Sequence, residues 1–365
     1  MKIKSIFKQY DYSLPKDLIA QKPSNPRDKA RLLVYPHTKN AKAFYGVGVP
    51  PSKKILHDRF INLPKYLPEN SVLVFNQTKV IPARIIVRKE TGGRVKLLYI
   101  GKDKNYIKVL ANKKLDVGQK LAIVNGSTSL LPSPRLKRGK FVVVKKTGQF
   151  YFLKPNFKLS KLPSIFSKYG QTPLPPYLKH SPLKEAERKK FYQTVFAKTG
   201  ESVAAPTASL HFTKRLMQRL QKNGIKILFV NLNVNLGTFA PLTEENIKTG
   251  KLHTETYEIN KKTLENIKLA KQQRKPIIAV GTTVVRTLES FAKTGKLTGA
   301  TDLFIRPPYN FKIIDGIITN FHVPKSSLMM LVASLVGRKK LLDIYRLATE
   351  KRYKFFSFGD GMFIF

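Results

Sequence analysis

The sequence predicts an α/β fold: a layered α/β domain with a small antiparallel β-barrel domain inserted into it. Three observations lead there. Residues 80–153 carry short, closely spaced β-type runs broken by turn clusters. The chain after Pro175 alternates helical and strand-like segments, and no internal repeat or low-complexity linker interrupts it. At 365 residues it is too long for one simple core, and 42% hydrophobic residues suffice to bury a large one.

Taken in order, Asp11-Tyr-Ser-Leu-Pro-Lys-Asp-Leu-Ile-Ala reads as an extended piece followed by a helix with Pro15 in its first turn. Residues 32–35 and 71–75 read as short buried strands. The β-type runs are Ala83-Arg-Ile-Ile-Val-Arg, Arg94-Val-Lys-Leu-Leu-Tyr-Ile, Tyr106-Ile-Lys-Val-Leu, Lys120-Leu-Ala-Ile-Val and Lys140-Phe-Val-Val-Val. Thr91-Gly-Gly, Asn125-Gly and Arg138-Gly separate them, as a barrel or sandwich requires. Further on, helices are expected at 185–196, 213–223, 261–274, 283–294, 325–337 and 341–351, and strands at 226–233, 276–280, 302–305 and 313–319. That alternation argues for a largely parallel sheet. The α/β domain is thus discontinuous, 1–79 and 154–365, around a barrel at 80–153.

Charge is the strongest compositional signal. Sixty-eight Lys and Arg against 22 Asp and Glu give +46, with a pI near 10.3. Such a field attracts polyanions, nucleic acid first, although lysine as a general surface residue accounts for part of it. Residues 117–184 contain no acid but 13 Lys or Arg, which suggests a phosphate-facing side. The aromatics Phe150, Tyr151, Phe152, Phe157, Phe166 and Tyr169 lie within that stretch, suited to base stacking or to filling a core. With no cysteine, disulfides, zinc–thiolate sites and iron–sulfur clusters are excluded. Residues 1–22 offer no signal-peptide apolar region, and the longest apolar run, 328–336, is too short to span a bilayer.

In Ile277-Ile-Ala-Val-Gly-Thr-Thr-Val-Val-Arg, a buried strand and a Gly turn lead into a helix. Such a helix start offers backbone N–H groups and a positive dipole end to an anion, and Arg286 lies about one turn in. An ordinary βα turn with Thr282 or Thr283 as N-cap explains the motif equally well. No G-x-G-x-x-G or Walker loop is present, and no histidine sits in a metal-binding frame. His253-Thr-Glu255 puts two proton-handling groups on one side of an extended segment. His211 follows Ala205-Pro-Thr-Ala-Ser-Leu, and His322 sits in Thr319-Asn-Phe-His-Val-Pro. A lone histidine is more often structural than catalytic. Pro173-Leu-Pro-Pro-Tyr reads as a rigid interdomain spacer, and Asp360, in Gly359-Asp-Gly361, is a catalytic candidate only if it points inward.

Read in order, these segments resemble the S-adenosylmethionine:tRNA ribosyltransferase-isomerases, which make the epoxyqueuosine precursor of queuosine. The resemblance runs through Asp11-Tyr-Ser-Leu-Pro, Leu73-Val-Phe-Asn, Val80-Ile-Pro-Ala-Arg, Pro173-Leu-Pro-Pro-Tyr, Tyr192-Gln-Thr-Val-Phe-Ala and Ser202-Val-Ala-Ala-Pro-Thr-Ala. It continues through Leu210-His-Phe-Thr, Gly237-Thr-Phe, His253-Thr-Glu, Val280-Gly-Thr-Thr, Val285-Arg-Thr-Leu-Glu-Ser, Ile318-Thr-Asn-Phe-His-Val-Pro-Lys-Ser and Phe355-Phe-Ser-Phe-Gly-Asp. It implies transfer of the ribosyl unit of S-adenosylmethionine to an aminomethyl-deazaguanine at the tRNA wobble position, with loss of adenine and methionine. Such chemistry needs a base beside the sulfonium, an acid for the departing adenine and an anion-stabilising pocket. The implied proton-transfer candidates are His211, His253, Glu255, His322 and Asp360. Those for substrate binding are Asn76, Arg84, Thr207, Thr238, Thr282, Thr283, Arg286 and Asn320. The resemblance further implies a cytoplasmic monomer whose partners are S-adenosylmethionine, as co-substrate, and tRNAs with queuosine-type anticodons, with no metal, resident cofactor or membrane.

The chain departs from the family pattern at several positions. Where Asp-Thr-Arg usually follows Phe75-Asn76, it has Gln77-Thr-Lys79; Asn233 replaces a histidine, Ser209 a glycine before Leu210-His211, and Pro308 a glycine before Tyr309. Lysine does not replace arginine at a bidentate site, and Asn233 cannot transfer a proton. A catalytically impaired tRNA-binding paralogue is therefore the alternative, but retention of His211, Glu255, His322 and Asp360 favours an active enzyme. A base-exchanging transglycosylase is disfavoured because its zinc site requires cysteines.

Overall fold

A computed structural model describes residues 3–37, 54–124, 139–234 and 242–365. They form two compact units, one of residues 1–79, 176–183 and 191–365, the other of 80–175 and 184–190. The chain passes from the second to the first at Pro175–Pro176, inside the Pro173-Leu-Pro-Pro-Tyr motif.

The first unit opens with α1 (Ile3–Lys8), then β1 (Arg31–Tyr35), β2 (Leu56–Arg59) and β3 (Val72–Asn76). The short strand β4 (Thr78–Val80) leads to the second unit, which contains β5 (Arg84–Lys89), β6 (Arg94–Asp103), β7 (Tyr106–Ala111), β8 (Lys120–Ile123), β9 (Lys140–Thr147), β10 (Phe150–Pro155) and α2 (Leu162–Tyr169). After α3 (Glu185–Phe191) come β11 (Thr199–Ser202), α4 (Lys214–Lys222), β12 (Lys226–Leu232), α5 (Glu244–Thr249), β13 (Lys251–Glu258), α6 (Lys261–Gln272) and β14 (Ile277–Val280). The chain closes with α7 (Thr282–Thr294), β15 (Thr298–Leu303), β16 (Gly316–Asn320), α8 (Ser327–Val336), α9 (Arg338–Glu350) and β17 (Gly361–Ile364).

Nine strands of the first unit form one sheet, in the order β15-β13-β12-β3-β14-β16-β17-β1-β2. The four neighbours β12, β3, β14 and β16 run parallel. The expectation of a largely parallel sheet holds for these and for the β1–β17 pair: β2, β13 and β15 pair antiparallel, and β17 runs against β16. The sheet's edges also differ from its centre in burial. Strands β3, β14 and β16 are buried along their whole length, whereas β2 and β15 have exposed positions, as edge strands do. Alternation sends Val72, Val74, Ile277 and Ala279 into one core with α7, α8 and α9, and Leu73, Phe75, Ile278 and Val280 into another with α4.

In the second unit, β10-β7-β6-β5-β8-β9 close into an antiparallel barrel. Every second residue points inward, as with Ile85 and Val87, Val95 and Leu97, Ile107 and Val109, and Tyr151 and Leu153. Strand β10 is built from the aromatic run Phe150-Tyr-Phe, and Phe166 of α2 packs 4.9 Å from Tyr99. Gly170 ends α2 where a Cβ would collide with the carbonyl oxygen of Pro82.

Some boundaries differ from the sequence reading. The helix expected after Pro15 is a single 3-10 turn, Lys16–Leu18, because Ile19 bridges in extended conformation to Phe355. Helix α3 stops at Phe191 instead of continuing to 196. Among the described residues no helix is long and apolar enough to cross a membrane.

Candidate functional site

The parallel strands deliver their carboxyl ends to one region, the usual place for a ligand in an open α/β sheet. Strand β14 ends at Val280, Gly281 takes φ +97°, and α7 begins at Thr282 with no side chain capping it. Gly281, not either threonine, is therefore the N-cap, and its positive φ suits a residue without a Cβ. A cavity of about 480 Å³ opens beside this turn. Its walls include Thr207 and Ala208, Gly281 to Thr283, Thr319 to His322 just beyond β16, and Tyr177, Phe356 and Ser357. A small recess formed by Leu252, His253, Glu255 and Arg286 shares Thr282, Thr283 and Leu328 with that cavity.

Thr282 is buried, lines both spaces and makes no hydrogen bond through its hydroxyl among the described residues. His322 faces the cavity with Nε2 2.9 Å from the Thr319 hydroxyl; its backbone N–H donates to the Tyr345 hydroxyl, and its carbonyl accepts from that of Tyr12. Burial lowers its pKa to about 3, so the ring is neutral at physiological pH. Asn320 accepts a 2.8 Å bond from the Thr207 hydroxyl at Oδ1, and its Nδ2 lies 3.2 Å from Nε2 of His211. In this amide orientation His211 accepts at Nε2. His211 does not line the cavity: it stacks on Phe60 at 4.1 Å, and burial, with a smaller effect of Arg27, lowers its pKa to about 3. Among the described residues, Asn320 links it to the cavity.

Other candidates are committed within the protein. Glu255, 1% exposed, pairs with Arg286, whose remaining donors reach the carbonyls of Leu303 and Thr301. That guanidinium is thus held by β13 and β15, although it lines the recess. Asn76 uses its whole side chain: Oδ1 accepts from the N–H groups of Thr78 and Leu232, while Nδ2 donates to the Leu232 carbonyl and the Thr283 hydroxyl. It clamps the ends of β3 and β12 and holds Thr283. Asp360 accepts from the backbone N–H groups of Arg31 and Lys354, both at 2.7 Å, and is not part of the cavity wall. Burial raises its pKa against those bonds.

Arg84 belongs to the second unit, where its Nη2 donates to the Leu174 carbonyl, and burial together with Arg188 lowers its pKa. His253 is exposed on β13 at the edge of the recess. Thr238 lies outside the described residues. Tyr177, Phe356 and Ser357 line the cavity without having been nominated. Tyr177 ends the Pro173-Leu-Pro-Pro-Tyr motif and shares a 2.7 Å hydroxyl contact with Ser357, while Phe356 holds φ +70°, which nothing in its neighbours signals.

The family model described as queuosine biosynthesis protein matches residues 7–364. The chain belongs to this queuosine biosynthesis family. The S-adenosylmethionine:tRNA ribosyltransferase-isomerase of Carboxydothermus hydrogenoformans is 44% identical over 364 residues, covering 98% of this chain and 99% of that one. The protein of the same name from Fusobacterium nucleatum is 41% identical over 371 residues, covering 100% and 98%. The crystal structure of S-adenosylmethionine tRNA ribosyltransferase from Thermotoga maritima at 2.00 Å resolution matches with a TM-score of 0.53 at 29% identity, covering 98% of this chain and all of that one. As a member of the queuosine biosynthesis family, the chain is an enzyme of the ribosyltransferase-isomerase type.

Two departures from the family pattern are built into the fold. Asn233 accepts from the Thr78 hydroxyl and the Glu201 N–H and donates to the Thr256 hydroxyl, so it joins three segments. The Ser209 hydroxyl is buried with no partner among the described residues.

Proposed function

We propose that the chain transfers and isomerises the ribosyl moiety of S-adenosylmethionine onto an aminomethyl-deazaguanine at the tRNA wobble position. The product is epoxyqueuosine, and adenine and methionine are released. The observation that carries this reading is the cavity at the strand ends, which joins an uncapped helix start, an aromatic wall and a neutral histidine. A carboxylate, such as that of the methionine moiety, suits the start of α7, where the dipole and the open Thr282 hydroxyl favour an anion. The adenine suits Tyr177 and Phe356, whose ring centroids are 4.8 Å apart. His322 is the proton-handling group of the cavity. Its Nε2, 2.9 Å from the Thr319 hydroxyl on the cavity wall, is placed to exchange a proton with a bound substrate. His211 acts through Asn320, fixing the Thr207 hydroxyl. The reaction takes place in the cytoplasm, with no resident cofactor.

The test is adenine release, followed by liquid chromatography, when purified protein meets S-adenosylmethionine and tRNA carrying the aminomethyl-deazaguanine. Adenine appearing only with the modified tRNA supports the reading. The replacements Gln77, Lys79 and Asn233 favour a second reading, a tRNA-binding paralogue impaired in catalysis. Tight tRNA binding with no adenine would select it.

A further inference from the structure

The barrel carries a row of side chains that its own packing does not explain. On β10 the inward positions are Tyr151 and Leu153, so Phe150 and Phe152 point outward, each half-buried. In register, Phe152 pairs with Lys108 of β7 on one side and Lys145 of β9 on the other. The Lys108 ammonium lies 4.0 Å from the centre of the Phe150 ring, and that of Lys145 lies 5.7 Å from the Phe152 ring. Among the described residues neither lysine has a carboxylate partner. Two cations thus flank one aromatic strand with only ring faces as countercharge, an arrangement that like-charge repulsion disfavours and a polyanion would stabilise.

We propose that this outer face of β7, β10 and β9 is a docking surface for single-stranded or loop RNA of the tRNA substrate. Its bases stack on Phe150 and Phe152 and its phosphates lie against Lys108 and Lys145. This rests on the tRNA reading above and adds where the barrel takes hold of the RNA. Charge complementarity carries the choice of occupant. The barrel unit contains 25 Lys and Arg against 5 Asp and Glu in 103 residues, about twice the net charge per residue of the rest of the chain. Rows of aromatic and basic side chains on a small barrel fit a stacked, charged strand better than a folded protein partner, which would leave the lysines to be desolvated without countercharge.

The experiment compares tRNA binding by the full chain and by K108E/K145E, F150A/F152A and K339E. The last makes the same kind of charge change on an exposed lysine of α9 in the other unit. The charge-swapped pair is expected to weaken tRNA binding tenfold or more and to flatten the plot of log affinity against log salt by about 1.4, for two lost phosphate contacts at about 0.7 each. Loss of both rings is expected to cost about thirtyfold or more with the salt slope unchanged. Affinity for S-adenosylmethionine and the far-ultraviolet circular dichroism should stay as in wild type. Equal tRNA affinities for K108E/K145E, F150A/F152A and K339E would overturn the proposal. Because binding is read without turnover, a wild-type protein that releases no adenine defeats the ribosyl-transfer reading while leaving this comparison intact.

Discussion

The two units divide charge and chemistry between them. In the barrel unit, Thr172 is the one buried polar side chain among the described residues, the interior is aliphatic and aromatic, and the lysines stay outside. The α/β unit holds the buried titratable groups: Asp28, His211, the Glu255–Arg286 pair, Glu289, His322 and Asp360. Burying such groups costs stability unless each is paired or neutralised, and His322 and the Glu255–Arg286 pair lie where strand ends and a helix start converge on the cavity and its recess. The contrast teaches that charge suited to holding a polyanion and groups suited to proton transfer can be optimised separately.

The largest expected effect lies in the α/β unit. Glu255→Ala leaves the Arg286 guanidinium buried without countercharge and should cost about 3–5 kcal/mol in urea unfolding. K108E/K145E, on the barrel surface, should cost less than about 0.5 kcal/mol; the reverse ranking would break the division. The next effect is on pH. Burial holds the pKa of His211 and of His322 at about 3, below the ordinary imidazole value of about 6.5, so the unfolded chain binds more protons in between. Stability should therefore fall as pH drops below about 6.5, by up to about 1.4 kcal/mol per pH unit for each histidine. Urea midpoints between pH 7 and pH 5 report it, and H322N should make the slope shallower. A slope unchanged in H322N would show that His322 is not held neutral. T282V should weaken S-adenosylmethionine about tenfold by calorimetry and leave stability alone, since that hydroxyl makes no bond within the described protein. The smallest effect is a gain: Ser209→Ala removes a buried hydroxyl with no partner among the described residues and should stabilise by up to about 1 kcal/mol. A loss on thermal unfolding would reveal a partner for it.

Much of the fold was legible because periodicity reports burial. The period-2 runs at 84–89, 94–103 and 106–111 became barrel strands, and the apolar run ending at Val280 became a central strand. β17, only Gly361-Met-Phe-Ile long, was missed because four apolar residues after a turn carry no periodicity. At the site, Thr282, Asn320 and His322 could be nominated from their motifs. Whether a polar side chain faces a ligand or the backbone is decided by tertiary partners, and so Asn76 and Asp360 proved to be clamps. Phe356 was out of reach for a related reason. A left-handed backbone at a bulky residue is imposed by its surroundings, here bonds from its own N–H to the Phe321 carbonyl and from Gly359 back to its carbonyl.

The most direct test of the division is adenine release titrated separately with S-adenosylmethionine and with modified tRNA in wild type, T282V and K108E/K145E. The account expects T282V to raise the half-saturating S-adenosylmethionine concentration alone, and K108E/K145E to raise that of tRNA alone, with the wild-type rate recovered at saturating tRNA. Both variants shifting the same substrate, or a barrel variant that stays slow at saturating tRNA, would contradict it.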